Sequence, residues 1–187
     1  MRKRIALIIA ILIIALVICV LTWRFWPQSS SSLIAIDKSS ITGISAYAMI
    51  RTFENGQSYT DTYRIDKQEE LGNEQEELAE ILATSHYQQD FRNLWPWGID
   101  SVNGGRYYDG RTVTVTFYSS NVENQYAEIM FMSSGLVVVQ TDKHPGMRIY
   151  HPTNKEALDK LVQYLQTNGI KERLSDKLQK QPPPRRL

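Results

Sequence analysis

Cysteine is almost absent from this 187-residue chain: its one thiol, Cys19, lies inside an apolar run. No disulfide framework within one chain and no cysteine-based zinc site can be built from it. Histidine is nearly as scarce, limited to His86, His144 and His151. A metal site on His144 and His151 would need a third ligand brought by the fold, such as Asp142 or Asp109, and isolated surface histidines are the simpler reading. No metal and no cofactor is therefore expected. The sequence also lacks a P-loop, a G-x-S-x-G elbow, an H-E-x-x-H pair and a dinucleotide fingerprint. No spacing singles out a nucleophile, so no catalytic residue is assigned.

An excess of positive charge is missing as well. The formal net charge is +1, but it is unevenly spread. Arg2, Lys3 and Arg4 precede the apolar run, and Lys171, Arg173, Lys177, Lys180, Arg185 and Arg186 crowd the last part of the chain. Trp23 to Ile170 keeps 12 basic against 18 acidic residues. An acidic body argues against nucleic acid as partner, because counterion release from phosphates needs clustered Lys and Arg.

What is present is a long hydrophobic run. Ile5 to Trp23 has no charge in 19 residues, and as a helix it would span about 28 Å, near the hydrocarbon thickness of a bilayer. The basic start places the N-terminus in the cytoplasm. A cleaved signal usually has a shorter apolar core and ends at a small-x-small site; Thr22-Trp23-Arg24-Phe25-Trp26-Pro27 offers none. The reading is an uncleaved single-pass anchor in the cell membrane, with Trp23, Phe25 and Trp26 as an aromatic belt at the outer headgroups.

The rest divides into a basic start at 1–4, the anchor at 5–23, a polar stalk at 24–38, an extracytoplasmic domain at 39–170 and a basic, proline-rich tail at 171–187. Asn55-Gly56 between two β-rich runs marks a hairpin, since both central residues of a type I′ turn need φ > 0. A two-residue loop there sets Glu54 opposite Gln57, Ile50 opposite Asp61, Ala48 opposite Tyr63 and Ala46 opposite Ile65. Asp66 to Thr84 reads as helical in one or two pieces, with Leu71, Leu78, Ile81 and Leu82 as its apolar stripe and six glutamates between Glu69 and Glu80 as a solvated face. Strand-like runs follow at 111–119, 126–133, 136–141 and 147–151. A closing helix at 155–167 buries Leu158, Leu161, Val162 and Leu165 and stops at Asn168-Gly169. The stretch past Ile170 reads as charged and helix-compatible, leading into three consecutive prolines, and is expected to be a disordered basic tail. The fold class is α+β: a transmembrane helix, then an antiparallel sheet with two helices packed on one face.

The segments ENGQSYTDTYRIDKQEEL, YYDGRTVTVTFY and TNKEALDKLVQYL together resemble small membrane-anchored extracytoplasmic domains of unknown function from Gram-positive bacteria. That resemblance implies a hairpin, a helix, further strands and a closing helix, and no activity. Its departure is the non-lipidated anchor.

The irregular region around Trp95-Pro96-Trp97-Gly98 and Arg106-Tyr107-Tyr108 holds the best candidate binding residues. Trp95, Trp97, Tyr107 and Tyr108 are stiff amphipathic side chains of the kind that dominate binding hot spots; a lid over the core is the competing structural reading. The functional expectation is a membrane-tethered, non-enzymatic binding or accessory module whose partners are the bilayer, through 5–23, and an envelope protein. The alternatives are an envelope hydrolase and a structural subunit of a membrane complex.

Overall fold

A computed structural model describes residues 2–34, 36, 38–68, 71–94, 110–120, 125–142 and 144–175. Helix α1 (Arg2–Arg24) comes first. Its Arg4–Arg24 stretch is long and apolar enough to cross a membrane and is buried nowhere against the rest of the chain. A run of Ile, Leu, Val and Ala with no polar face cannot be covered by water without cost, which is why such a helix seeks lipid.

Eight strands build one antiparallel sheet: β1 (Ile41–Glu54), β2 (Gln57–Gln68), β3 (Tyr87–Gln89), β4 (Thr112–Ser119), β5 (Tyr126–Phe131), β6 (Val137–Thr141), β7 (His144–Pro152) and β8 (Ile170–Ser175). Their spatial order is β3-β7-β6-β5-β4-β1-β2-β8. The β1–β2 hairpin turns on Asn55 (φ 53°) and Gly56 (φ 75°), the left-handed pair that a type I′ turn demands. Its register is the one expected, with Glu54 opposite Gln57, Ile50 opposite Asp61, Ala48 opposite Tyr63 and Ala46 opposite Ile65.

Alternation then decides which residues go inside. Ile44, Ala46 and Ala48 of β1 lie beside Phe117, Val115 and Val113 of β4, and all six are fully buried. They join Ile129 and Phe131, Val137 and Val139, and the buried stripes of three helices in one apolar cluster. Those helices are α2 (Ser30–Ile34), α3 (Glu74–Ala83) and α4 (Glu156–Asn168). Leu158, Leu161, Val162 and Leu165 of α4 are all buried, as its sequence periodicity requires. Each fully buried Leu contributes about 1.5–3 kcal/mol of transfer free energy, so this cluster dominates stability. On the other face Met49 and Tyr118 are exposed, whereas Val138 and Ile149, paired across β6 and β7, are buried.

Three segments differ from expectation. Asp66 to Gln68 continue β2, pairing with Ser45, Ile44 and Gly43, because ladder pairing satisfies their backbone groups before a helix can start; α3 begins only at Glu74, behind Asn73. Ile170 to Ser175 form edge strand β8, neither a helix nor part of a tail, so the sheet runs past the expected domain boundary at 170. An ionic cluster fixes β8 to β2: Arg173 donates from Nε to Asp61 Oδ1 at 2.6 Å and from its terminal nitrogens to Glu54 at 2.8 and 3.1 Å. Lys171 Nζ lies 3.2 Å from Asp61 Oδ2, and these cations hold the Asp61 carboxyl below the usual carboxylate range. The third difference lies in 24–38, read as a polar stalk. Gln28 pairs with Tyr87 through backbone bonds of 2.9 and 2.8 Å, and Leu33 and Ile34 of α2 enter the core.

Candidate functional site

A groove lies between α3 and α4, beside the end of β2. Helical spacing puts Glu74, Glu77 and Ile81 on one stripe of α3, with Glu80 and Thr84 beside it. From α4, Tyr164 and Asn168 face that stripe, flanking the buried Leu161 and Leu165. Two lobes result. One, of about 330 Å³, is lined by Ile65, Lys67, Asn73, Glu74, Glu77, Tyr164 and Asn168. The other, of about 340 Å³, is lined by Glu77, Glu80, Ile81, Thr84, Lys160 and Tyr164. Glu77 and Tyr164 belong to both, so the lobes form one groove.

Its electrostatics are acidic with the cations already engaged. Lys67 contacts Glu74, and that ammonium holds the Glu74 carboxyl below its ordinary value. Lys160 pairs with Glu156, one turn away on α4, at 2.8 Å. Glu77 accepts a hydrogen bond from the Tyr164 hydroxyl; burial first, and then this neighbouring carboxylate, push the tyrosine up to about 12. Tyr164 is therefore a hydroxyl donor at neutral pH, never a phenolate. Glu77 and Glu80 have no Lys or Arg partner among the described residues. The groove thus offers two uncompensated carboxylates over a floor of Ile65, Ile81 and the Tyr164 ring, which suits an ammonium or guanidinium on an apolar stem.

A second polar cluster sits at the opposite edge of the sheet. Asp90 follows β3 and is buried. Its Oδ1 accepts from Arg92 N at 2.7 Å and Arg92 Nε at 3.0 Å, and its Oδ2 from the Arg92 terminal nitrogen at 2.9 Å. His151 Nε2 lies 2.7 Å from the same Oδ2. Burial alone would raise this carboxyl; the bonds from Arg92 and His151 outweigh it and bring Asp90 to about 2. An aspartate holding an imidazole resembles half of a catalytic triad. The other nitrogen, Nδ1, is buried and meets no hydrogen-bonding group among the described residues, so none of their hydroxyls or thiols stands there ready for activation. The cluster fastens the chain after β3 onto β7.

The residues singled out from sequence divide into two sets. Trp95, Trp97, Tyr107 and Tyr108 lie outside the described residues. Of the aromatic belt, Trp23 is 81% and Trp26 65% exposed, whereas Phe25 is only 9% exposed and stacks on Phe91 with ring centroids 4.2 Å apart. His86 is exposed, and His151 is half-buried against Asp90. No group of three or more His, Cys, Asp or Glu placed to hold a metal exists among the described residues. The groove escaped sequence reading because Glu77 and Tyr164 are far apart in the chain; the six-glutamate stretch was its one signal, and it reads equally as a solvated helix face.

The fold and groove define an α+β domain behind an apolar helix. Comparison with family models, with curated proteins and with solved structures finds no match to this chain.

Proposed function

We propose that the chain is a single-pass, membrane-tethered, extracytoplasmic module without enzymatic activity, and that it binds a basic segment of an envelope partner in the α3–α4 groove. The observation that supports this reading is the groove itself, in which Glu77 and Glu80 have no Lys or Arg partner among the described residues and lie beside Ile81 and Tyr164. A Lys- or Arg-bearing peptide would place its charge on these carboxylates and its stem on Ile81 and Tyr164. The apolar helix supplies the tether, and the basic residues before it set the orientation.

The test is fluorescence anisotropy of a labelled Lys/Arg-rich peptide with the full chain in nanodiscs of neutral phosphatidylcholine. Two exposed ion pairs contribute roughly 0.5–1 kcal/mol each, so Glu77→Gln with Glu80→Gln should weaken binding about five- to thirtyfold. Added salt should weaken it too. Equal affinity of wild type and the double variant would reject the groove as the binding surface.

A further inference from the structure

The anchor and the domain are joined with almost no slack. Helix α1 ends at Arg24, and Gln28 already pairs with Tyr87 of β3 through two backbone hydrogen bonds. Between them Phe25 is buried, and its ring rests on Phe91. Arg24 lies within electrostatic reach of Tyr150 on β7. A helix rises about 1.5 Å per residue, so Phe25, and with it Phe91, stands about one half-turn above Trp23.

Phe91 opens a 3-10 turn, Phe91–Leu94, that follows β3. This turn is held from three sides. Asp90 N donates to Ile149 O at 2.9 Å. The Asn93 side chain donates to Ile149 O at 2.6 Å and accepts from Ile149 N at 2.8 Å. The Asp90 carboxylate binds Arg92 and His151, as described above. Despite this rigid mounting, the turn shows its apolar side chains to the outside: Phe91 is 66% and Leu94 43% exposed. Trp23 and Trp26, at the C-terminal end of α1, are exposed too, and Phe91 is tied to that end by its contact with Phe25. Single exposed apolar side chains are ordinary, but a cluster continuous with a lipid-facing helix marks a membrane contact.

We propose that the Phe91–Leu94 turn is a second membrane contact, in which Phe91 and Leu94 enter the headgroup–acyl boundary beside Trp26 and seat the domain against the bilayer in one orientation. The inference rests on the reading of α1 as a lipid-embedded anchor. Apolar faces of interfacial elements sit about 5–10 Å into this boundary, a depth within reach of side chains level with the end of the helix. Such seating would fix the direction in which the α3–α4 groove is presented to a partner.

The experiment uses the full chain in phosphatidylcholine vesicles with an environment-sensitive fluorophore on a single cysteine. In a Cys19→Ser background, Leu94→Cys and Phe91→Cys report the turn, and Gln166→Cys on the exposed side of α4 serves as the aqueous reference. The wild-type chain labelled at Cys19 reports the anchor. Nitroxide carried shallowly on lipid should quench the 94 and 91 labels, while aqueous iodide should quench them far less than the 166 label; their emission should shift to the blue. Iodide quenching at 94 and 91 equal to that at 166, with the Cys19 label still quenched by deep lipid nitroxide, would overturn the seating and leave the anchor standing. Protection from iodide without quenching by lipid nitroxide would place protein rather than lipid on the turn, and would also overturn it. A Cys19 label that lipid nitroxide does not reach would remove the anchor and the proposal together.

Discussion

Replacing Asp90 by Asn should destabilise the folded domain at neutral pH by about 2 kcal/mol, and the loss should fade in acid. Asp90 accepts bonds from Arg92 N, from two guanidinium nitrogens and from His151 Nε2. Its folded-state pKa is about 2, against an ordinary 3.8. At about 1.4 kcal/mol per pKa unit, that depression corresponds to about 2 kcal/mol of stability from the ionised form. Losing one partner of a fully buried pair would cost about 3–5 kcal/mol; the Arg92 side chain is about one-third exposed and regains water, which holds the cost near the lower figure. Because the folded pKa is depressed, the contribution is complete above the unfolded value and disappears as pH falls from about 4 through 2. Urea unfolding of the detergent-solubilised full chain, followed by near-ultraviolet circular dichroism at pH 7, 4 and 2, measures the difference. A gap between Asp90→Asn and wild type that stays constant down to pH 2 would refute the ionic origin of the effect. No gap at pH 7 would refute the role of the cluster altogether.

Three further outcomes follow from the packing and the groove. Leu161→Ala, at a fully buried position on α4, should cost about 2–5 kcal/mol in the same unfolding assay; a loss below 1 kcal/mol, about one CH₂, would mean that α4 is not packed as described. Gly56→Ala, with φ at 75°, should cost about 1 kcal/mol by placing a Cβ in the left-handed region, and an unchanged midpoint would contradict the type I′ turn. Glu77→Gln should lower the Tyr164 pKa from about 12 toward its ordinary 10 without reaching it, since burial remains; carbon NMR of ring-labelled tyrosine through a pH titration reads this, and an unmoved Tyr164 resonance would detach Glu77 from it.

The parts of the fold legible in the sequence are those in which local pattern and tertiary packing agree. Asn55-Gly56 fixes both the turn and, by strict alternation, every pairing from Glu54 opposite Gln57 to Ala46 opposite Ile65. The spacing of Leu158, Leu161, Val162 and Leu165 reveals α4 for the same reason. Strand β8 was hidden because Lys171, Glu172 and Arg173 look like a solvated charge run; what makes them a strand is Asp61, more than a hundred residues earlier. Helix α2 was hidden by its serines, although Leu33 and Ile34 behind them belong to the core. Asp66 to Gln68 carry helix-start chemistry that β1 pairing overrides. The groove was invisible for a related reason: a carboxylate on α3 lines a groove only when Tyr164 arrives from α4 beside it.

The claim on which the whole account depends is that the domain is held on the outer side of a membrane by α1. Its most direct test is reaction of Gln166→Cys, in a Cys19→Ser background, with a membrane-impermeant maleimide in intact cells that produce the chain. Full labelling without permeabilisation is expected, on a chain that retains its N-terminal helix. Labelling that requires the membrane to be opened would contradict it.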